Sequence, residues 1–162
     1  MTVHDTRPFT VKVCVCPDNN MLFLHKNQKI ISIFVRNNYK IRKNMKTLII
    51  FNREPYDNTD ITWNGLRLAE TLRKSGQEVR IFLVNDSVDM ARDACKAPKN
   101  YDQDLSQMLK GLIANGVPVK VCGTCMARCG IYKNHPYFDG AKKSTMGELA
   151  DWVIDSDKVL TF

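Results

Sequence analysis

From residue 47 onward, short apolar runs of strand length alternate with longer stretches of helical period, and no other feature constrains the fold so strongly. Residues 47–51 form an apolar run the length of a buried strand. Asn52 to Asn58 is a polar loop, after which Thr59 or Asp60 can cap a helix. In that helix Ile61, Gly65, Leu68, Ala69 and Leu72 recur at helical spacing, and Ser75-Gly76 stops it. Residues 79–84, rich in β-branched side chains, predict a second buried strand. Val88 to Cys95 predicts one short helix. Asp102 predicts the opening of another, with Leu105, Met108, Leu109, Leu112 and Ile113 on one face and Asn115-Gly116 at its end. Residues 117–121 predict a third strand, Pro118 being tolerable at its start. Thr145-Met146-Gly147-Glu148 spells a capping box ahead of Leu149, Trp152 and Val153, and residues 158–162 predict a last strand.

Strands alternating with helices in this way specify βαβ units. The predicted fold is α/β: a three-layer α/β/α arrangement around a mainly parallel sheet of four to five strands. In such sheets, sites form outside the carboxyl ends of the strands. With 162 residues the chain has room for one domain and an appendage.

The net charge of +7 suggests a polyanion partner until it is located. Residues 1–44 hold eight Lys or Arg and two Asp; residues 45–162 hold sixteen basic and fifteen acidic residues. The larger part therefore has no electrostatic footprint for nucleic acid. No apolar run approaches the roughly 20 residues of a membrane span. The first quarter carries six Asn and no Gly, and its apolar runs, 21–24 and 30–35, are too short for a secretory signal. Residues 1–44 are expected to be an extension outside the fold or a mis-assigned start, with Met45 opening the domain of residues 45–162. The alternative is a genuine appendage with a weak hairpin around Pro17 to Asn20.

Chemistry concentrates in Val121-Cys122-Gly123-Thr124-Cys125-Met126-Ala127-Arg128-Cys129-Gly130, which begins where the third strand ends. Without a secretory signal a disulfide framework is not expected. If residues 124–129 open a helix, Cys122 lies near its N-terminus, where the dipole favours a thiolate, and Arg128 adds a cation one turn on. A partly exposed thiolate of that kind can take and pass on sulfur or form a disulfide. Three readings stand at this point: a persulfide-carrying Cys122, a Cys122–Cys125 dithiol, and a metal set of Cys122, Cys125, Cys129 and His135 in the spacing Cys-x2-Cys-x3-Cys-x5-His. The last is the weakest, because zinc sites come as separated pairs and the spacing is not that of an iron–sulfur motif. Cys95 reads as a buried small hydrophobe, and His135, before Pro136, as a surface histidine. Arg53 and Tyr56, in the loop after the first strand, are expected near the same sheet edge as Cys122. No glycine pattern cradles a phosphate, so no cofactor is expected.

Residues 45–162 resemble the DsrE/DsrF-like family, most of all its YchN-type members. The resemblance rests on Leu66-Arg67-Leu68-Ala69, on Phe82-Leu83-Val84-Asn85-Asp86, on the run from Gly116 to Cys125, and on the C-terminal Glu148-Leu149-Ala150-Asp151-Trp152 and Ser156 to Phe162. It implies a small cytoplasmic α/β protein that forms homo-oligomers, trimers or hexamers, and is connected to sulfur relay with donor and acceptor proteins. In sulfur-transferring relatives the cysteine matching Cys122 carries a persulfide. Cys125 matches the second cysteine of YchN-type members, and Cys129 stands where relatives tend to have a basic residue.

Overall fold

The computed structural model describes residues 44–162 throughout and, of the first 43 residues, only the backbone of three strands. The chain divides into two compact units, Met1–Arg42 and Lys43–Phe162. In the first, β1 (Lys12–Val15), β2 (Leu22–Lys26) and β3 (Lys29–Ile33) pair antiparallel in that order. The turn expected at Pro17 to Asn20 lies outside the described residues, as does Cys16.

The second unit is a five-stranded sheet. In chain order its elements are β4 (Lys46–Phe51), α1 (Ile61–Lys74), β5 (Glu78–Leu83), a 3-10 helix (Asn85–Ala91), α2 (Leu105–Ala114), β6 (Val119–Cys122), α3 (Gly123–Arg128), β7 (Ala141–Ser144), α4 (Met146–Asp155) and β8 (Lys158–Thr161). The strands lie in the order β7-β6-β5-β4-β8, and every neighbouring pair is parallel. The three-layer α/β/α expectation therefore holds, with the sheet at its five-strand limit.

Period-two alternation divides the core between the two faces. Ile49, Phe51, Ile81, Leu83, Val119 and Val121 join α1, α2 and the 3-10 helix in the larger cluster. Leu48, Phe82 and Cys122 point the other way, into a smaller cluster with Leu149 of α4. Each fully buried aliphatic or Phe side chain stabilises by roughly 1.5–3 kcal/mol, so the first face carries most of the fold. The second is thinly covered. On it, or beside it, Met146 (62% exposed), Val153 (41%) and Ile154 (83%) of α4 and Val159 of β8 (40%) turn apolar surface outward.

The helix ends follow local chemistry. Thr145 accepts from the Glu148 amide at 3.2 Å while Glu148 accepts from the Thr145 amide at 3.1 Å, so the expected capping box is formed. Asp104 caps α2 by accepting from the Gln107 amide at 3.0 Å, which moves that helix start two residues past Asp102. The expected helix from Val88 to Cys95 is instead the 3-10 helix Asn85–Ala91. Ser87, Val88, Asp89, Met90 and Ala91 are all buried, so the segment has no solvent face to suit an amphipathic α-helix. The Ser87 hydroxyl anchors it on the Phe51 and Val84 carbonyls, at 2.7 and 2.6 Å. β7, with the sequence Ala-Lys-Lys-Ser, carries no apolar strand signal; it is an edge strand with two exposed lysines, a common guard against edge pairing.

Gly65 brings α1 close to the sheet. A Cβ there would lie 2.5 Å from Phe51 Cε1 and 2.9 Å from Phe162 Cγ. Gly111 in α2 would meet nothing within 4 Å. Gly65→Ala is therefore expected to cost about 1–3 kcal/mol by overpacking, whereas Gly111→Ala should gain roughly 0.4–1 kcal/mol. Urea denaturation of the two variants checks this, and equal effects would show that helix propensity, not the close approach, governs position 65.

Candidate functional site

β6 runs directly into α3, so no connecting residue separates the strand end from the helix start. Cys122 is both the last residue of β6 and the N-cap of α3. Its register partner on β7 is Ser144. Gly123 permits this tight passage: a Cβ there would lie 2.9 Å from Lys143 Cε and 3.1 Å from the Ser144 carbonyl oxygen.

The two thiols of the motif differ in environment. Cys122 is only 4% exposed and belongs to the cluster of Leu48, Phe82 and Leu149. The sequence predicted a partly exposed thiol; the alternation of β6 instead turns its side chain inward beneath α4. Cys125, one turn into α3, is half-buried and packs against both core clusters. The Asn85 amide donates to Cys125 Sγ at 3.2 Å, from a backbone held at φ 52°. Burial pushes the Cys125 thiol up to about 11, and its hydrogen bond with Cys122 pushes in the same direction; the Asn85 amide works against them. Cys125 thus keeps its proton at neutral pH, beside the Cys122 sulfur.

The other expected residues are distributed around this pair. Cys129 caps the C-terminus of α3, half-buried, and its amide donates to the Cys125 carbonyl at 2.8 Å. Arg128 is exposed in the last turn of α3, at the opposite end of the helix from Cys122. Arg53 is paired with Asp57 at 3.0 Å. Tyr56 serves α2: its hydroxyl accepts from the Leu105 amide at 3.1 Å, its ring meets Tyr101 edge-on at 5.0 Å, and burial pushes its pKa up to about 12. The loop after β4 therefore braces the start of α2 through Tyr56. His135 is exposed, its ring edge-on to Tyr132. Among the described residues, no three His, Cys, Asp or Glu side chains converge as a metal site, so the set of Cys122, Cys125, Cys129 and His135 is not assembled. Cys95 is 3% exposed, and burial pushes its thiol up to about 11. Among the described residues no helix is long and apolar enough to cross a membrane.

Sequence reasoning passed over the residues that organise the site. Asp89 and Arg92 form a buried ion pair, Nε to Oδ1 at 3.0 Å, with side chains 1% and 2% exposed. The two terminal nitrogens of Arg92 donate to the Met126 carbonyl of α3 at 2.7 Å and to the His135 carbonyl at 2.8 Å. Its guanidinium also lies 4.4 Å over the Tyr137 ring. Asp89 Oδ2 accepts from the Ile131 and Tyr132 amides at 2.6 and 3.1 Å. Gly130, at φ 84°, passes so close that a Cβ would sit 2.1 Å from Asp89 Oδ1, and its amide donates to Asp86 at 2.9 Å. The available signal was a pair of opposite charges three residues apart inside an otherwise apolar segment, Val88-Asp89-Met90-Ala91-Arg92.

Comparison with known proteins agrees with the geometry. The DsrE/DsrF-like family model matches residues 45–162. Protein YchN of Escherichia coli is 40% identical over 119 residues, covering 72% of this chain and 98% of that protein. An uncharacterized protein of Methanocaldococcus jannaschii is 36% identical over 118 residues, covering 73% of this chain and all of the relative. The crystal structure of the E. coli ychN protein superposes with a TM-score of 0.64 at 39% identity, covering 73% of this chain and 99% of that one.

The buried pair gives a direct test. Removing one partner of such a pair costs about 3–5 kcal/mol, because the other charge stays buried. Asp89→Ala should show that loss in urea denaturation and free the Ile131 and Tyr132 amides to exchange. Asp86→Ala, which removes one hydrogen bond at an exposed site, should cost only about 1 kcal/mol. Equal losses would mean that Asp89 does not hold the loop.

Proposed function

The chain belongs to the DsrE/DsrF-like family, and from that premise and the thiol pair at the end of β6 we propose that it carries sulfur, as a persulfide on Cys122. The observation that supports this best is the placement of Cys122. It ends a central parallel strand, where sites of this architecture form, and the protonated Cys125 thiol stands next to its sulfur. A persulfide is an anion at neutral pH when its surroundings donate hydrogen bonds, and Cys125 is such a donor. The function resides in residues 45–162, acting in the cytoplasm, where thiols stay reduced.

A second reading is a homo-oligomeric binding module with structural cysteines, and it is favoured by the 4% exposure of Cys122. One measurement separates the two. After incubation of the Cys125→Ser variant with glutathione persulfide, intact mass spectrometry should show the mass of one added sulfur atom, mapped to Cys122. Cys122→Ser should lose that gain entirely. No gain, or gain at another cysteine, rejects the carrier.

We also propose that the protein assembles as a homo-oligomer, a trimer or hexamer, through the thin face of the sheet. Ile154, exposed at 83% on α4, is its most outward apolar residue there, and closed symmetric assembly is the usual way to cover such a surface. Light scattering after size exclusion should give an oligomer at micromolar concentration, and Ile154→Asp should shift it toward monomer without unfolding. A monomeric wild type rejects the assembly.

A further inference from the structure

We propose that the Cys122–Cys125 pair discharges its own sulfur as sulfide, having taken it from a small sulfane-sulfur donor rather than from a protein. This rests on the persulfide reading of Cys122 and adds the fate of the sulfur.

Steric access is the first support. Two proteins that exchange sulfur must bring sulfur atoms to bonding distance, and a side chain 4% exposed beneath α4 does not offer its sulfur to a second protein's thiol. A low-molecular-weight persulfide and hydrogen sulfide are far smaller. Both can pass where the half-buried Cys125 marks the way to solvent.

Geometry is the second. Cys122 and Cys125 are three residues apart across the first turn of α3, where side-chain origins lie roughly 5–6 Å apart. A disulfide needs Cα atoms about 4.4–6.8 Å apart. Cys129 is seven residues from Cys122, about 10 Å along a helix at ~1.5 Å per residue. It is further held off by the amide of Gly130 on Asp86 at 2.9 Å. The internal partner of Cys122 is therefore Cys125.

The chemistry closes in two steps. The Cys122 thiolate attacks the outer sulfur of a donor persulfide, the donor leaves as its thiol, and Cys122 holds the persulfide. The Cys125 sulfur then bonds to the Cys122 sulfur and breaks the bond to the outer atom. That atom takes the Cys125 proton as it departs and leaves as hydrosulfide. Two thiols are oxidised to one disulfide, and the sulfane sulfur gains two electrons. The proton is in place because Cys125, with its pKa pushed up to about 11, retains it at neutral pH. A low-molecular-weight or protein dithiol, exchanging with the disulfide, restores the pair for a second turn.

The test uses the full-length reduced protein and glutathione persulfide under anaerobic conditions, with sulfide measured alongside intact mass. The wild type should release about one sulfide per chain and lose the mass of two hydrogens, with the disulfide mapping to Cys122 and Cys125. Cys125→Ser and Cys125→Ala should each keep one added sulfur atom on Cys122 and release at least about tenfold less sulfide. Wild type that keeps the added sulfur as these variants do overturns internal discharge and leaves the carrier standing. Variants that are folded, by circular dichroism, and yet take up no sulfur overturn the carrier itself, and discharge with it. A disulfide mapping to Cys129 overturns the assignment of Cys125 as the partner.

Discussion

The buried pair of Asp89 and Arg92 is the constraint on which the cysteine segment depends. One guanidinium reaches the carbonyls of Met126 and His135, and one carboxylate collects the amides of Ile131 and Tyr132. Between them they tie the end of α3 and the loop after it to the segment that follows β5. Taking both charges out of water costs several kcal/mol per ion, so the pair is a weak source of net stability. Its effect is geometric. With each guanidinium nitrogen of Arg92 bonded to a named carbonyl or carboxylate, the loop is held in the arrangement that satisfies the buried charges. Gly130 is part of that arrangement, since any side chain there would enter the carboxylate.

Most of the fold was legible because its signals are local. β4, β5, β6 and β8 are apolar runs of strand length, α1 repeats Ile61, Gly65, Leu68, Ala69 and Leu72, and α4 opens on a capping box whose hydrogen bonds are both formed. What stayed hidden depends on tertiary context. Lys142 and Lys143 give β7 no apolar signature, and only the register against β6 makes it a strand. The segment Asn85–Ala91 carries no amphipathic period, because its last five residues, Ser87 to Ala91, are all buried.

The site shows the same division. Cys122 and Cys125 were legible from their spacing at a strand end. The burial of Cys122 was not, since it depends on which face of β6 the side chain takes and on whether α4 covers that face. Arg53 and Tyr56 were expected near the sheet edge of Cys122, and their contacts run to Asp57 and to the start of α2. Asp89 and Arg92 went unread because charged residues in an apolar stretch look like solvent-facing breaks, when here each is neutralised by the other.

Coverage of Cys122 follows from how α4 is fastened. Ser144, the register partner of Cys122, donates to Glu148 at 2.5 Å, and Lys120, two residues before Cys122, bonds the same carboxylate at 3.0 Å. Lys120 also lies 4.5 Å over Trp152, and Trp152 and Leu149 close over the Cys122 cluster. The strand that ends in the thiol therefore holds down the helix that hides it. The Ser144 and Lys120 hydrogen bonds hold the Glu148 carboxyl well below the usual range, at about 2. A carboxyl lowered in the folded state supports the fold above its unfolded pKa and loses that support only as pH falls toward the folded value. Across the physiological range this carboxylate stays charged and keeps Ser144 and Lys120 as its partners. The end of α3 is tied in turn by Arg92, which donates to the Met126 carbonyl. The buried ion pair, through the Met126 carbonyl of α3, and the carboxylate of α4 thus fasten the two helices that flank the Cys122 thiol.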